Sequence, residues 1–466
     1  MSQQTAYVEK RIPVYPRSVK GLYRNLKTAI LCLAYGVYFI LPWLPWERVN
    51  GPNQTVLFDI VNRRFYIFDL VVYAQDIFWL AGFLIIGAFL LFFVTGILGR
   101  VFCGYFCFQT LWTDVFIFIE RLVQGERNAR IKLAKSPWTT RKIFLMGTTW
   151  LLWLVVSFWT GLSFTLYWGE AGQLVTDIFS GQAPFPAYAT TLFLTVTTIV
   201  MAGLAREQVC TYMCPYARFQ SAMFDKDTLL VAYDEKRGEC QSGRCKPTKE
   251  NIGYEYRQQN EIGECIDCGY CVQVCPVGID IRNGLQYQCI SCALCIDACN
   301  TMMDTIKYPR GLIKYTSQNQ MEAKPHKLLK PKTIGYALAL IIVTGVLFSA
   351  ILNRQDMELH VQQVRQPLYI TLSDGYIQNR YSIKVFNKQE RAQEYTLILS
   401  GMENARIEIK PSASFSVEGG QSITLDARVS VDPELVRDVQ EVFKFVLIDT
   451  NSKKRIQTEA QIFLPE

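Results

Sequence analysis

Uncharged, mostly apolar runs occur at 28–46, 77–98, 143–169, 178–205 and 333–353. A helix needs about 20 such residues to cross a bilayer, so each run is long enough to span one. Pro42 and Pro45 interrupt the far end of the first run, because proline breaks helices. Beyond residue 360 the pattern changes to short alternating stretches, among them 381–386, 395–399, 423–429 and 442–447. Turn residues such as Gly419-Gly420 and the stretch 449–452 separate them. About seven strands in roughly 100 residues read as an antiparallel sandwich of immunoglobulin type. No recognisable catalytic group lies in it, so docking is its expected role.

Basic residues orient the runs, since Lys and Arg collect on the cytoplasmic flank of a span. The first 27 residues hold Lys10, Arg11, Arg17, Lys20, Arg24 and Lys27. Arg100, Arg121, Arg127, Arg130, Lys132, Lys135, Arg141 and Lys142 lie between the second and third runs, and neither Lys nor Arg lies between the third and fourth. The expected multi-domain membrane protein then has five α-helical spans in the bacterial inner membrane, with the N-terminus cytoplasmic. Its parts are a basic cytoplasmic arm (1–27) at the lipid headgroups, a four-helix membrane domain (28–215) and a cytoplasmic segment (216–332, core 260–310). A fifth span (333–353) and a periplasmic Ig-like β-sandwich (360–466) follow. No cleavable signal peptide is evident, because basic and polar positions continue to Lys27 and the apolar run then proceeds as a span. The composition, 50% hydrophobic with 19% charged residues, fits that class. The net charge of +7 reflects topology, and nucleic acid is not an expected partner.

Fifteen cysteines carry the chemistry, and none follows Cys299. Eight form two runs, Cys265-x-x-Cys268-x-x-Cys271-x-x-x-Cys275 and Cys289-x-x-Cys292-x-x-Cys295-x-x-x-Cys299. Each run has the bacterial ferredoxin spacing for a [4Fe–4S] cluster, in which the fourth cysteine ligates the other cluster. The expected ligand sets are Cys265, Cys268, Cys271 and Cys299 for one cluster and Cys289, Cys292, Cys295 and Cys275 for the other. Zinc instead takes paired C-x-x-C knuckles. This is the pattern of a bacterial-type 2[4Fe–4S] ferredoxin domain. Fourteen of the fifteen thiols fall on the expected cytoplasmic side or its membrane edge, with Cys32 in the first span, which suits a reducing compartment.

Two further pairs, Cys103-Gly104-Tyr105-Phe106-Cys107 and Cys210-Thr211-Tyr212-Met213-Cys214, each follow a hairpin of spans and an arginine. They read as a diverged internal repeat. Cysteines at i and i+4 share a helix face, and four such thiolates suit Cu(I), zinc or an iron–sulfur cluster. Simple packing and a dithiol/disulfide relay are the alternatives. Met213 beside Cys214, and Met302 and Met303 beyond Cys299, read chiefly as gap-fillers, although thioethers also bind copper. Cys240 and Cys245 read as a metal pair or incidental surface thiols, and Cys32 as a packing residue. Asp114, Glu120, Glu170, Asp177 and Glu207 near the membrane edge read as proton relays or solvated interfacial groups. Only two histidines occur, His326 and His360, and neither lies in a span, which excludes a transmembrane haem held by paired His. There is no phosphate-binding or dinucleotide fingerprint. Electrons are expected from an unidentified donor, a quinol or a partner protein.

On these residues, together with 278–287 and 308–315, the chain resembles the cytochrome c oxidase accessory proteins of the CcoG/FixG/RdxA type. The resemblance implies reduction of Cu(II) to Cu(I) for the copper centre of cbb3-type oxidase, with copper as substrate. Cys103, Cys107, Cys210 and Cys214 would then be the copper-contacting or electron-passing thiols. Implied partners are membrane lipid and the oxidase or its copper chaperones, with a homodimer left open. Phe108 stands where the family has proline, so the first pair is expected to be held differently from the second, which keeps Pro215. A quinol-linked electron conduit and a redox-sensing assembly scaffold are the competing readings.

Overall fold

The structure, a computed structural model, describes residues 14–48, 51–221, 223–248, 251–327, 329–389, 391–402, 405–432 and 440–463. Lys10 and Arg11 of the basic arm lie outside the described residues. The chain divides into two units, one comprising 1–46 and 54–347, the other 47–53 and 348–466.

In the first unit, helices α1 (Leu22–Ile40), α2 (Ile77–Leu98), α3 (Val101–Tyr105) and α4 (Phe108–Gln124) come first. They are followed by α5 (Arg127–Lys135), α6 (Thr140–Leu166), α7 (Ala171–Ser180) and α8 (Phe185–Thr198). The helix Pro331–Leu352 closes the set. Proline ends α1 as expected, by way of a 3-10 turn at Leu41–Trp43. A three-stranded antiparallel meander, β1 (Val56–Asp59), β2 (Arg64–Ile67) and β3 (Leu70–Tyr73), fills the connection to α2. Helices α6 and α8 meet through small residues: Thr165 and Thr191 share a 2.9 Å hydroxyl contact, and a Cβ on Gly161 would lie 2.6 Å from the Thr191 carbonyl. Close backbone approach of this kind is how helices associate in lipid.

Six helical segments among the described residues are long and apolar enough to cross a membrane. Five coincide with the expected spans, and 6–28% of their windows is buried. The sixth, Val101–Gln124, is 56% buried. It is apolar because it packs inside the protein among α1, α6 and residues 199–204. Asp114, Glu120 and Arg121 kept it from reading as a span. Asp114 is buried against Arg24 at 2.9 Å and Lys27 at 3.7 Å, and Glu120 is held by Arg130 at 2.9 Å and by Arg206. Asp114 is therefore a buried ion-pair partner and Glu120 a half-buried one, and neither is a solvated interfacial group.

The basic arm also makes protein contacts. Residues 14–21 lie on the ferredoxin segment, where Arg17 N donates to Gln273 O at 2.7 Å and the Arg17 guanidinium stands 4.6 Å from the Tyr270 ring centroid. Tyr270 Oη donates to the Ser18 carbonyl at 2.9 Å. Asp297, on the helix Leu294–Thr305, accepts from the backbone N–H groups of Tyr23 and Arg24. A carboxylate at a helix N-terminus satisfies free amides and complements the dipole, so the start of α1 is fastened to the iron–sulfur segment.

The second unit holds the sandwich, with nine strands among the described residues against the seven expected. One sheet has the order β8 (Arg406–Lys410), β10 (Ser422–Val431), β6 (Ile377–Asn387), β4 (Met357–Gln363), with β5 (Ile370–Thr371) on β6. The other has the order β9 (Ser414–Val417), β7 (Gln393–Ser400), β11 (Gln440–Asp449), β12 (Arg455–Phe463). Strict alternation turns Tyr381, Ile383 and Val385 inward against Leu425, Ala427, Phe443 and Phe445. Phe445→Ala should cost this unit about 3–5 kcal/mol, read as a lower denaturation midpoint, with iron content unchanged because the clusters belong to the other unit.

Candidate iron–sulfur and dithiol site

The two cysteine runs fold alike. In the first, Asp267 and Gly269 adopt left-handed backbone (φ 49° and 64°); in the second, Ser291 and Ala293 do so at the same places (φ 51° and 59°). Left-handed backbone costs a non-glycine residue about 1–2 kcal/mol. Its recurrence at Asp267, Ser291 and Ala293 marks loops wound tightly so that three thiols face one point. Cys295 and Cys299 then ride on the helix Leu294–Thr305, whereas Cys275 follows the short helix Tyr270–Gln273.

The fourth cysteines cross over. The thiols acting on Cys299 are Cys271, Cys265 and Cys268, all from the first run. Those acting on Cys275 are Cys292 and Cys289, from the second. A cavity lined by Cys271, Cys275, Cys289, Cys292, Cys295 and apolar side chains including Val277 and Ile290 lies between them. Burial pushes the thiols of Cys271, Cys275 and Cys299 up to about 12 and that of Cys289 to about 11. Thiolate is the metal-binding form, so this apolar pocket of thiols calls for a cationic group to ionise them. The donor set and the cavity fit iron–sulfur clusters. Among the described residues no three His, Cys, Asp or Glu side chains close on a single ion; the sulfurs around a cube stand wider apart than the ligands of one ion.

The other four thiols converge beside this module. Cys103 feels Cys107, Cys210 and Cys214, and Cys210 feels Cys107 and Cys214. Their backbones differ from a shared helix face. Cys103 sits in α3, but the helix breaks before Cys107, which is extended (φ −65°, ψ 125°) and starts α4. Cys210 lies in a π-helical turn, Val209–Met213, and Cys214 is extended (φ −77°, ψ 111°) before Pro215. Both second cysteines donate to the carbonyl five residues back, Cys107 N to Phe102 O at 2.9 Å and Cys214 N to Val209 O at 2.8 Å. The repeat is therefore real at the level of backbone bonds.

Phe108 does not set the first pair apart. It occupies the first position of α4, where an N–H lacks an intrahelical partner and proline is tolerated. Phe108→Pro should leave iron content and dithiol reactivity at wild-type levels, as measured by metal analysis and thiol alkylation.

The module touches the first pair directly. A Cβ on Gly104 would stand 2.7 Å from Ile290 O and 2.9 Å from Cys292 Cα. Tyr105 Oη donates to the Cys292 carbonyl at 3.1 Å. Cys103 packs with Val274, Ile290 and Cys292, and its Sγ donates to Gln220 Oε1 at 3.3 Å. Gly104 and Gln220 escaped the sequence reading, although the glycine between two cysteines was the available signal, and Tyr105 entered it only as the shared centre of Cys-x-Tyr-x-Cys. Glu207 lines a cavity together with Cys210, whereas the other thiols and the methionines do not join the site. Met303 is buried in the ferredoxin core, Met213 is exposed beside Cys214, Cys240 and Cys32 are exposed, and Cys245 Sγ accepts from Arg257 Nη2 at 3.6 Å.

Comparison with known proteins agrees with this construction. Residues 205–318 match a family described as a 4Fe-4S dicluster domain, 80–124 a 4Fe-4S binding domain, and 347–465 the Ig-like fold at the C-terminus of FixG. The chain is 39% identical over 435 residues to protein RdxB of Cereibacter sphaeroides, covering 91% of this chain and 90% of that protein. Protein RdxA of the same organism is 40% identical, covering 87% of this chain and 86% of that protein. The nitrogen fixation protein FixG of Rhizobium meliloti is 34% identical, covering 98% and 94%. The chain belongs to the CcoG/FixG/RdxA family and is a multi-pass membrane iron–sulfur protein of electron transfer.

Proposed function

We propose that the protein reduces Cu(II) to Cu(I) at the four thiols Cys103, Cys107, Cys210 and Cys214 and hands on the cuprous ion for assembly of the copper centre of cbb3-type oxidase. The observation that carries this reading is the contact of Gly104 and Tyr105 with the Cys292 backbone, which sets the dithiol pairs against one ligand loop of the ferredoxin module. Two [4Fe–4S] clusters, held by the crossed sets described above, store single electrons when bound. The chain's own residues do the rest. Sulfur ligands favour Cu(I) over Cu(II), so the dithiols draw the substrate toward its reduced form. One electron per copper ion balances the step. Gln220 accepts from Cys103 and in turn donates to Thr95, which fixes the thiol's direction.

Placement of Lys and Arg supports a cytoplasmic ferredoxin module and a periplasmic Ig-like unit that docks a partner, either the oxidase or a copper chaperone. A cavity between α1 and α4 lined by Arg24, Thr28, Leu31, Asp114, Phe118 and Arg121 favours one alternative, entry of electrons from a membrane quinol. The deciding experiment is cupric reduction by the pre-reduced protein with Cys103, Cys107, Cys210 and Cys214 all changed to Ser. Loss of cuprous product with full iron content is expected. Unchanged reduction would sink the copper reading and leave the conduit.

A further inference from the structure

The two dithiol pairs are not chemically equivalent. Three residues before the first cysteine stands Arg100 in one pair and Glu207 in the other. Glu207 lies in the helical turn Arg206–Gln208, and Cys210 in the π-helical turn that follows it. Residues three apart share a helix face, and here both line one narrow cavity of about 20 Å³ with Gln109, Thr110 and Arg206. That is room for one water or a single ion. A second cavity, of about 280 Å³, is lined by Glu207 together with Tyr15, Gln124, Trp150 and Leu204, and by no cysteine. Trp150 and Leu204 are 44% and 42% exposed, so this wider cavity opens to the surface.

Glu207 is the carboxylate common to the two cavities. The other acidic residues that line them, Asp114 and Glu120, are held by Arg24, Lys27, Arg130 and Arg206. Arg206 also lines both, but its guanidinium is engaged with Glu120, Nη1 donating to Oε2 at 3.0 Å. Cu(II) takes oxygen and nitrogen donors, whereas Cu(I) takes sulfur. Neither histidine of the chain lines either cavity, so carboxylate oxygen is the hard donor next to the thiols.

We propose that Glu207 receives the cupric ion from the wider cavity and passes it to Cys210 for reduction. In that transfer the bond from copper to the Glu207 oxygen breaks and a bond to Cys210 Sγ forms. The thiol proton goes to the vacated carboxylate, and the single electron is that of the reduction proposed above. Copper thus arrives at the second pair, because the first has an arginine at the equivalent place. The passage to Cys210 rests on the copper reading, whereas cupric binding at Glu207 is tested without it.

The test reads binding first, without reduction. The full chain, purified anaerobically in detergent with oxidised clusters and with Cys103, Cys107, Cys210 and Cys214 changed to Ser, is titrated with Cu(II) under electron paramagnetic resonance. An oxygen-coordinated cupric signal is expected, and adding Glu207→Gln should remove it. With the four thiols intact, Glu207→Gln should raise the Cu(II) concentration for half-maximal reduction at least about tenfold. The limiting rate and the affinity for Cu(I), read by chelator competition, should stay near wild type, which a merely structural role would not allow. Glu207→Asp keeps a carboxylate one methylene further back, so it should recover most of the loss with an altered cupric hyperfine splitting. An unchanged cupric signal in the Gln variant, an unmoved half-maximal concentration, or equal weakening of Cu(I) and Cu(II) overturns the proposal. If Glu207→Gln does not accumulate, the Asp variant decides, since an unaltered splitting there overturns it too. Copper reduction surviving in the quadruple Ser variant would remove the passage to Cys210 along with the copper reading, and the cupric titration would still decide on Glu207.

Discussion

Cys275→Ala should lower the iron content from about eight to about four per chain and abolish electron delivery to copper. The lost cluster should be that of the second run. Cys275 follows the first run in sequence, yet the thiols beside it are Cys292 and Cys289. Its resonance spectrum should therefore match that of Cys289→Ala and differ from that of Cys265→Ala. Cys299→Ala should give the reverse, since Cys299 stands among Cys271, Cys265 and Cys268. Run-local ligation would make the Cys275 and Cys265 variants alike, and that result would contradict the crossed assignment.

Gly104→Val should separate the two halves of the site. The added carbons would meet Ile290 O, Cys292 Cα and Cys292 N, all backbone atoms that cannot rotate away. Overpacking of this kind costs about 1–3 kcal/mol, and the easiest relief is for α3 to lift from the ligand loop, carrying Cys103 with it. Small misplacements at reacting groups are costly, so reduction of copper should fall at least about tenfold while iron content stays near wild type. Thr211, at the equivalent place in the second pair, already carries a β-branched side chain and only donates its hydroxyl back to the Glu207 carbonyl at 2.8 Å; Thr211→Val, of the same shape, should have little effect. Stopped-flow rates and metal analysis of the two variants check both statements.

How much of this was legible depended on whether a feature is local. Eight cysteines at ferredoxin spacing specify their own loops, and even the crossing of Cys275 and Cys299 follows from the spacing. The five lipid-facing spans were readable because apolar length is set by bilayer thickness. The broken helix at Cys107 was not. Without a proline at 108 nothing local announces the break, and the extended backbone there is held by the 2.9 Å bond from Cys107 N to Phe102 O and by packing. The buried helix Val101–Gln124 was hidden because its charges find partners distant in sequence, Arg24, Lys27, Arg130 and Arg206. Arg100 was hidden for the same reason. Counted along the chain it is one of many basic residues flanking a span, and only the fold reveals it buried against the carbonyls of Tyr287 and Ala217.

The most direct test of the account mixes anaerobically reduced protein with one equivalent of Cu(II), freezes at intervals, and follows the cluster and cupric signals by electron paramagnetic resonance. The account predicts that both signals decay together in the wild type, and that both persist when Cys103, Cys107, Cys210 and Cys214 are serine. Decay of the cluster signal at the same rate in both proteins would contradict it.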